Sequence, residues 1–183
     1  MRVNCDDIYK SDISSVVNKA APGAVAQITS DQSALIWLKD ASKTTRIAEA
    51  LAQHSKHLGI RHILYGSTLA LHFPTATTDS RTPNLIIIPQ QGVIYVKAGD
   101  KKKAEHGGFV NDDTNVALLI ANPHLQHRGV VIRAPVFTTQ VAPTLLASLG
   151  LSPSALEAVA KQGITALPGE DSWKISSNLS NID

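Results

Sequence analysis

Apolar residues recur along the chain in two rhythms, and the change from one to the other divides it into elements. Residues 34–38 (ALIWL), 85–88 (LIII) and 116–121 (VALLIA) are apolar at nearly every position. That pattern suits strands covered on both faces. Shorter apolar stretches at 25–28, 60–65, 93–96 and 130–132 predict further strands. The helical rhythm is clearest over 40–59, where Ile47, Ala50, Leu51, His54 and Leu58 share one face and Gly59 supplies a stop. Ile13, Val16 and Val17 predict a shorter helix over 12–20, capped by Ser11 or Asp12 and ended by Pro22 and Gly23. Thr138 or Thr139 opens a helix running to Leu149, with Pro143 tolerable only in its first turn. Gly150 ends that helix, and Pro153 opens a last one to Gln162. Residues 69–73 fit a short helix or a strand.

The connections are also partly legible. A turn at Ser30, Asp31 and Gln32 joins the strands at 25–28 and 33–38. The helix over 40–59 lies between strands at 34–38 and 60–65, a βαβ-like unit. Pro89, Gln90, Gln91 and Gly92 make a turn that predicts a hairpin between 85–88 and 93–96. Residues 116–121 are expected in the middle of a covered sheet. The fold class that follows is α/β, layered, with helices on both faces of the sheet. Residues 163–183 are polar and rich in Ser and Asn, and are expected to form a tail with weak contacts.

Composition narrows the function classes. With 183 residues the chain is long enough for one domain with a sizeable core. Aromatic content is only 4%, so that core must be aliphatic. A formal net charge of +2, with Lys101, Lys102 and Lys103 as the one basic cluster, gives no nucleic-acid-binding signature. No run approaches the ~20 apolar residues of a membrane span. Residues 1–12 carry Asp6 and Asp7 and no apolar core of a secretory signal, so the sequence leaves the compartment open. Cys5 is the single cysteine, which excludes an internal disulfide and a cysteine-based zinc site.

The densest chemistry lies in residues 101–123, KKKAEHGGFVNDDTNVALLIANP. Glu105, His106, Asp112 and Asp113 are all capable of metal ligation, and Gly107 and Gly108 leave the backbone able to turn beside the imidazole. A hydrolytic metal site needs three or more converging N or O ligands and an open position. The alternatives are a loop histidine for His106 and a turn or strand cap for Asp112 and Asp113. His54 and His57 read as helix-end histidines, and His124 and His127 as exposed ones. No nucleophile elbow, phosphate-binding loop or dinucleotide fingerprint is present. Residue types and spacing therefore stop at an α/β domain with one candidate metal-binding loop.

The order of several motifs carries more than any of them alone. Asp79-Ser80-Arg81-Thr82-Pro83 is followed by Pro89-Gln90-Gln91-Gly92-Val93-Ile94-Tyr95, then Ala104-Glu105-His106-Gly107-Gly108-Phe109, Asp112-Asp113-Thr114 and Val116-Ala117-Leu118-Leu119. With Thr138 to Leu145, Leu149-Gly150-Leu151 and the earlier ALIWL run, this series resembles the C-terminal half of the type I phosphodiesterase / nucleotide pyrophosphatase family, in the alkaline phosphatase superfamily. The resemblance covers roughly residues 25–168. It implies an α/β/α arrangement around a mixed sheet, alkaline-phosphatase-like but incomplete. On that reading 1–24 is a lead-in, 25–168 the C-terminal part of the domain and 169–183 a polar tail.

The resemblance also implies a centre of two divalent metals, usually zinc, acting on a phosphoester or nucleotide-like small molecule. A Ser or Thr nucleophile attacks phosphorus there, with the metals stabilising the attacking and leaving oxygens. His106 falls on the family's late His-Gly ligand position. Glu105, Asp112 and Asp113 fall in the same motif as supports of the loop, and Asn84 stands where relatives are expected to carry Asp. The early aspartate ligand, the nucleophile and the second His-Gly motif all lie N-terminal to the matched region, where this chain has no residues. The expectation is a C-terminal portion of a phosphoric-ester hydrolase, inactive alone and needing the missing N-terminal half. The alternative is a non-catalytic α/β domain, either a decayed relative or a binding module.

Overall fold

The protein is described by a computed structural model that covers residues 6–96, 101, 102, 104–121, 127 and 129–173. It is mixed α/β and divides into two compact units, Met1–Val116 and Ala117–Asp183. The first unit opens with β1 (Asp6–Tyr9) and α1 (Lys10–Ala20), followed by the hairpin β2 (Val25–Ser30) and β3 (Ala34–Leu38). A 3-10 turn at Ala41–Lys43 leads into α2 (Thr44–Gln53). The Asp40 side chain opens that turn by accepting the Ser42 amide at 2.9 Å. The chain leaves α2 through Gly59, whose φ of +56° suits only glycine without strain. Then come β4 (Ile60–Tyr65), α3 (Gly66–Ala70), β5 (Leu85–Pro89) and β6 (Val93–Val96).

The four-stranded sheet runs β2-β3-β5-β4, antiparallel throughout. β3 and β4 therefore run the same way, with β5 between them, so the expected strand-helix-strand unit is a crossover that leaves room for one strand. That order decides the fate of the predicted 85–96 hairpin. Both edges of β5 are occupied, by β3 and β4, so β6 has no edge to join. It pairs instead with β1, in parallel, from Asp6 opposite Val93 to Tyr9 opposite Val96.

β5 is buried along its whole length, as its unbroken apolar sequence requires. Leu85 and Ile87 point into the main core, where Ile13 and Val17 of α1, Ile47 and Leu51 of α2, Ala34 and Ile36 of β3 and Tyr95 of β6 meet them. Ile86 and Ile88 point the other way, into a smaller cluster with Leu69 and Val110. Helix 12–20 is thus part of the core. Tyr95 is fully buried; its hydroxyl donates to the Leu58 carbonyl at 3.2 Å and its amide to the Asp31 carbonyl at 2.8 Å. Removal from water pushes the Tyr95 phenol pKa up.

The second unit is built on α5 (Val141–Ser148), preceded by a 3-10 turn at Thr138–Gln140. Pro143 is its third residue, among the first four positions whose amides have no helical acceptor. A 3-10 turn at Pro153–Ala155, α6 (Glu157–Gln162) and α7 (Glu170–Trp173) follow. The segment expected to be a weakly held tail is anchored up to Trp173. Thr144 Oγ1 donates to the Gln140 carbonyl at 2.6 Å and accepts the Leu167 amide at 2.8 Å. The buried Trp173 indole donates to the Leu167 carbonyl at 3.1 Å. A tryptophan with a hydrogen-bonded N–H outweighs the polar average of its neighbours.

Two predicted strands are absent. Residues 116–121 and 130–132 carry no regular structure, and most of their side chains are open to solvent. Apolar sequence favours extended backbone, but a strand also needs a partner ladder, and no described segment supplies one. The contrast with β5 is measurable in stability. Ile87→Ala is expected to cost about 2–5 kcal/mol. Val131→Ala is expected to stay within about 0.5 kcal/mol. Urea unfolding followed by tryptophan fluorescence checks both.

Candidate functional site

His106 sits on a loop that other side chains brace while its own ring stays out in solvent. The imidazole is 97% exposed. Immediately before it, Glu105 is mostly covered and engaged on both carboxylate oxygens. One receives the Lys102 ammonium, and the other accepts the His106 amide at 3.2 Å. Lys102 also reaches Asp31 Oδ1 at 2.9 Å, so it ties the loop to the β2–β3 turn. This charge pairing acts on both partners. Lys102, then the His106 amide, holds the Glu105 carboxyl below its ordinary range, while Glu105 and Asp31 push the Lys102 ammonium up.

After His106 the chain turns at Gly107, where φ is +80°. Gly108 follows against a wall: a Cβ there would lie 2.2 Å from Gln32 Cγ and 2.3 Å from Asp113 Oδ2. The pair of glycines therefore has two different reasons, backbone conformation at the first and close approach at the second. Phe109 meets Phe73 edge to face at 6.2 Å, and Val110 enters the smaller apolar cluster. The Val110 carbonyl then accepts the amides of Asp113 at 3.0 Å and Thr114 at 3.1 Å, which closes the single turn α4 (Asn111–Thr114).

The two aspartates are thus on a helical turn rather than in a strand cap, and their surroundings differ. Asp112 is exposed and its Oδ2 accepts from Gln91 Nε2 at 2.7 Å, tying the loop to the β5–β6 turn. Asp113 Oδ2 is buried with no hydrogen-bond partner. Desolvation pushes its pKa above the ordinary 3.8, the Asp112 charge adds to this, and His106 opposes it.

Chemically, His106 can offer one nitrogen donor to an incoming ion. Glu105 Oε1 lies 3.7 Å from its Nε2, but that carboxylate is committed to Lys102 and to the backbone. Asp112 is committed to Gln91. Among the described residues no group of three or more His, Cys, Asp or Glu side chains is placed to hold a cation. The expected metal therefore does not fit a site made by this chain's described residues alone. His54 is exposed, its Nδ1 2.9 Å from the Ala50 carbonyl, and His57 and His127 are exposed; His124 lies outside the described residues, as does Lys103. In the segment before β5, Asp79 grips Arg81, with Oδ2 to Nη2 at 2.7 Å, and this lowers the Asp79 carboxyl to about 2.

Sequence reasoning missed Asp31, Gln32 and Gln91, the side chains that hold the loop. They lie on turns whose nearness to residues 102–113 depends on strand order. The Lys102–Glu105 pair could have been found from its i, i+3 spacing of opposite charges. A separate cleft of about 510 Å³ in the first unit is bordered by residues that include Thr45, Tyr65, Ser67, Leu69, Ala70 and Thr77, its lining is mainly apolar, and no residue of the His106 loop borders it. Comparison with known protein families, with curated proteins and with solved structures finds no match for this chain.

Asp113 gives a pH test of this geometry. Its folded pKa is raised, so its destabilising effect is absent below the ordinary 3.8 and complete once pH has passed the raised value. Asp113→Asn is expected to raise the melting temperature at neutral pH, because the neutral amide carries no charge to desolvate there. The gain should vanish in acid, where Asp113 itself is neutral. Thermal melts of both proteins across acid and neutral pH decide it. Glu105 has the opposite sign: its folded pKa is depressed, so its contribution is present above the ordinary carboxylate range and lost as pH falls through the depressed value.

Proposed function

We propose that this chain is the C-terminal portion of a metal-dependent phosphoric-ester hydrolase of the phosphodiesterase / nucleotide pyrophosphatase kind. Its sheet and helices belong to an alkaline-phosphatase-like layering that other residues complete. His106 gives one imidazole ligand to a divalent-metal centre, zinc by the chemistry of the implied donors. The nucleophile and the remaining ligands come from outside this sequence, and the substrate is a phosphoester or nucleotide-like small molecule. The observation that carries the reading is the state of His106 itself. Its backbone is fixed through Glu105, Lys102 and the docked Phe109–Val110 segment, while its ring is 97% exposed and faces no competing partner but Glu105. A histidine needed only for packing would be covered.

A second reading, a non-catalytic α/β domain, has its own support in the committed carboxylates around His106 and in the absence of a donor cluster among the described residues. Zinc separates the two. Under the first reading the isolated chain binds about one zinc weakly, as a lone imidazole with nearby carboxylates does, and His106→Ala abolishes that binding. It turns over an aryl phosphodiester no faster than buffer. Co-expression with a polypeptide carrying an Asp, a Ser or Thr nucleophile and a second His-Gly motif should then give zinc-dependent turnover that requires His106. Zinc that neither binds nor shifts the melting temperature would favour the non-catalytic domain. Turnover by the isolated chain, lost in His106→Ala, would overturn the need for a second part.

A further inference from the structure

We infer that the Lys102 ammonium is a tethered cation that keeps divalent metal out of the His106 loop, so that charge pairing, rather than ligand spacing, denies this chain a metal site of its own. The inference rests on the reading of His106 as a ligand position and names what holds that position in check.

Spacing alone would admit an ion. His106 Nε2 and Glu105 Oε1 lie 3.7 Å apart. Two ligands of one tetrahedral zinc, each about 2.0–2.2 Å from it, lie roughly 3.4 Å from one another. The imidazole is 97% exposed, so a small turn of the ring closes the difference. Glu105 Oε1 accepts the His106 amide at 3.2 Å, and a carboxylate oxygen has a second lone pair to give.

Charge is the obstacle. Lys102 Nζ donates to Glu105 Oε2 and, at 2.9 Å, to Asp31 Oδ1 on the β2–β3 turn. An ammonium has donors and no lone pair, so it neutralises both carboxylates and ligates nothing itself. An ion at Glu105 Oε1 would stand beside an ammonium bonded to the other oxygen of the same carboxylate, and the two positive charges repel. To recruit Glu105 fully, the ion must displace Lys102, which the chain holds there at the high local concentration of an intramolecular partner. The exclusion is moderate in size. The Lys102 and Asp31 side chains are 42% and 57% exposed, and exposed ion pairs are weak, so lifting the block is expected to change metal affinity about tenfold and not a thousandfold.

Calorimetric titration of the full chain with zinc chloride at neutral pH tests this. Lys102→Met and Lys102→Gln should each bind zinc about tenfold more tightly than the wild type. Two neutral replacements guard against one that disturbs the fold, which far-UV spectra and thermal melts report. Lys102→Arg keeps the charge and should bind as the wild type does. Adding Glu105→Gln or His106→Ala to Lys102→Met should remove the gain. No gain in either neutral variant, an equal gain in Lys102→Arg, or a gain that survives Glu105→Gln would overturn the inference. If the neutral variants gain nothing while the wild type binds zinc through His106, the inference falls and the proposed function stands. If they bind zinc and the wild type binds none, the inference stands and the non-catalytic reading of the natural chain is favoured.

Discussion

The first unit depends on one requirement: a strand with no polar side chain must be roofed on both faces. Leu85, Ile86, Ile87 and Ile88 send alternate side chains to opposite sides of the sheet. Each fully buried aliphatic residue contributes about 1.5–3 kcal/mol, so neither side can be left wet. α1, α2 and Tyr95 cover one side. The other is closed by Leu69 and Val110, with Phe73 packed against them. Val110 lies four residues after His106, so the second roof of the core is also the anchor of the candidate site. Core packing thereby fixes where the imidazole can be, without covering it.

The polar contacts around the loop have a different role. Exposed ion pairs are worth ~0–1 kcal/mol, less than the burial of Val110 alone. The bridge from Asp31 through Lys102 to Glu105 therefore adds little to stability. What it does is direct: it occupies the carboxylate beside His106, orients the backbone at that residue and spans from the β2–β3 turn. The Gln91–Asp112 contact does the same from the β5–β6 turn. Two separate turns thus meet at one loop.

How much of this could be read from sequence depended on distance along the chain. The β2–β3 hairpin, the helix ended by Gly59 and the helix admitting Pro143 early are local, and turn and stop residues announced them. The partner of β6 was not local. Gln90, Gln91 and Gly92 do make a tight turn, yet the strands on either side of it part company because β3 and β4 already hold β5. Residues 116–121 have the composition of a central strand, and composition carries no information about whether a neighbour exists. At the site, the glycines and His106 were visible as residue types. The supporting Asp31, Gln32 and Gln91 were not, since their role exists only once the turns are brought together. Trp173 shows a single large side chain overriding the polar character of the segment around it.

The order β3-β5-β4 has a further consequence for how the chain acquires its structure. β2 and β3 can close as soon as their turn is made, because only residues 31–33 separate them. β4 cannot join them directly: its one partner in the sheet is β5, and residues 66–84, with the whole Ser- and Thr-rich loop, separate the two. Until that late strand arrives, β4 has no ladder to lock it, and the apolar face of α2 has only α1 and the β2–β3 hairpin to lie against. Insertion of β5 between two waiting strands is then a single non-local step that completes both pairings and both roofs together. Such a step sets the entropic barrier to folding, and it places the least polar stretch of the first unit in solvent until the moment it is captured.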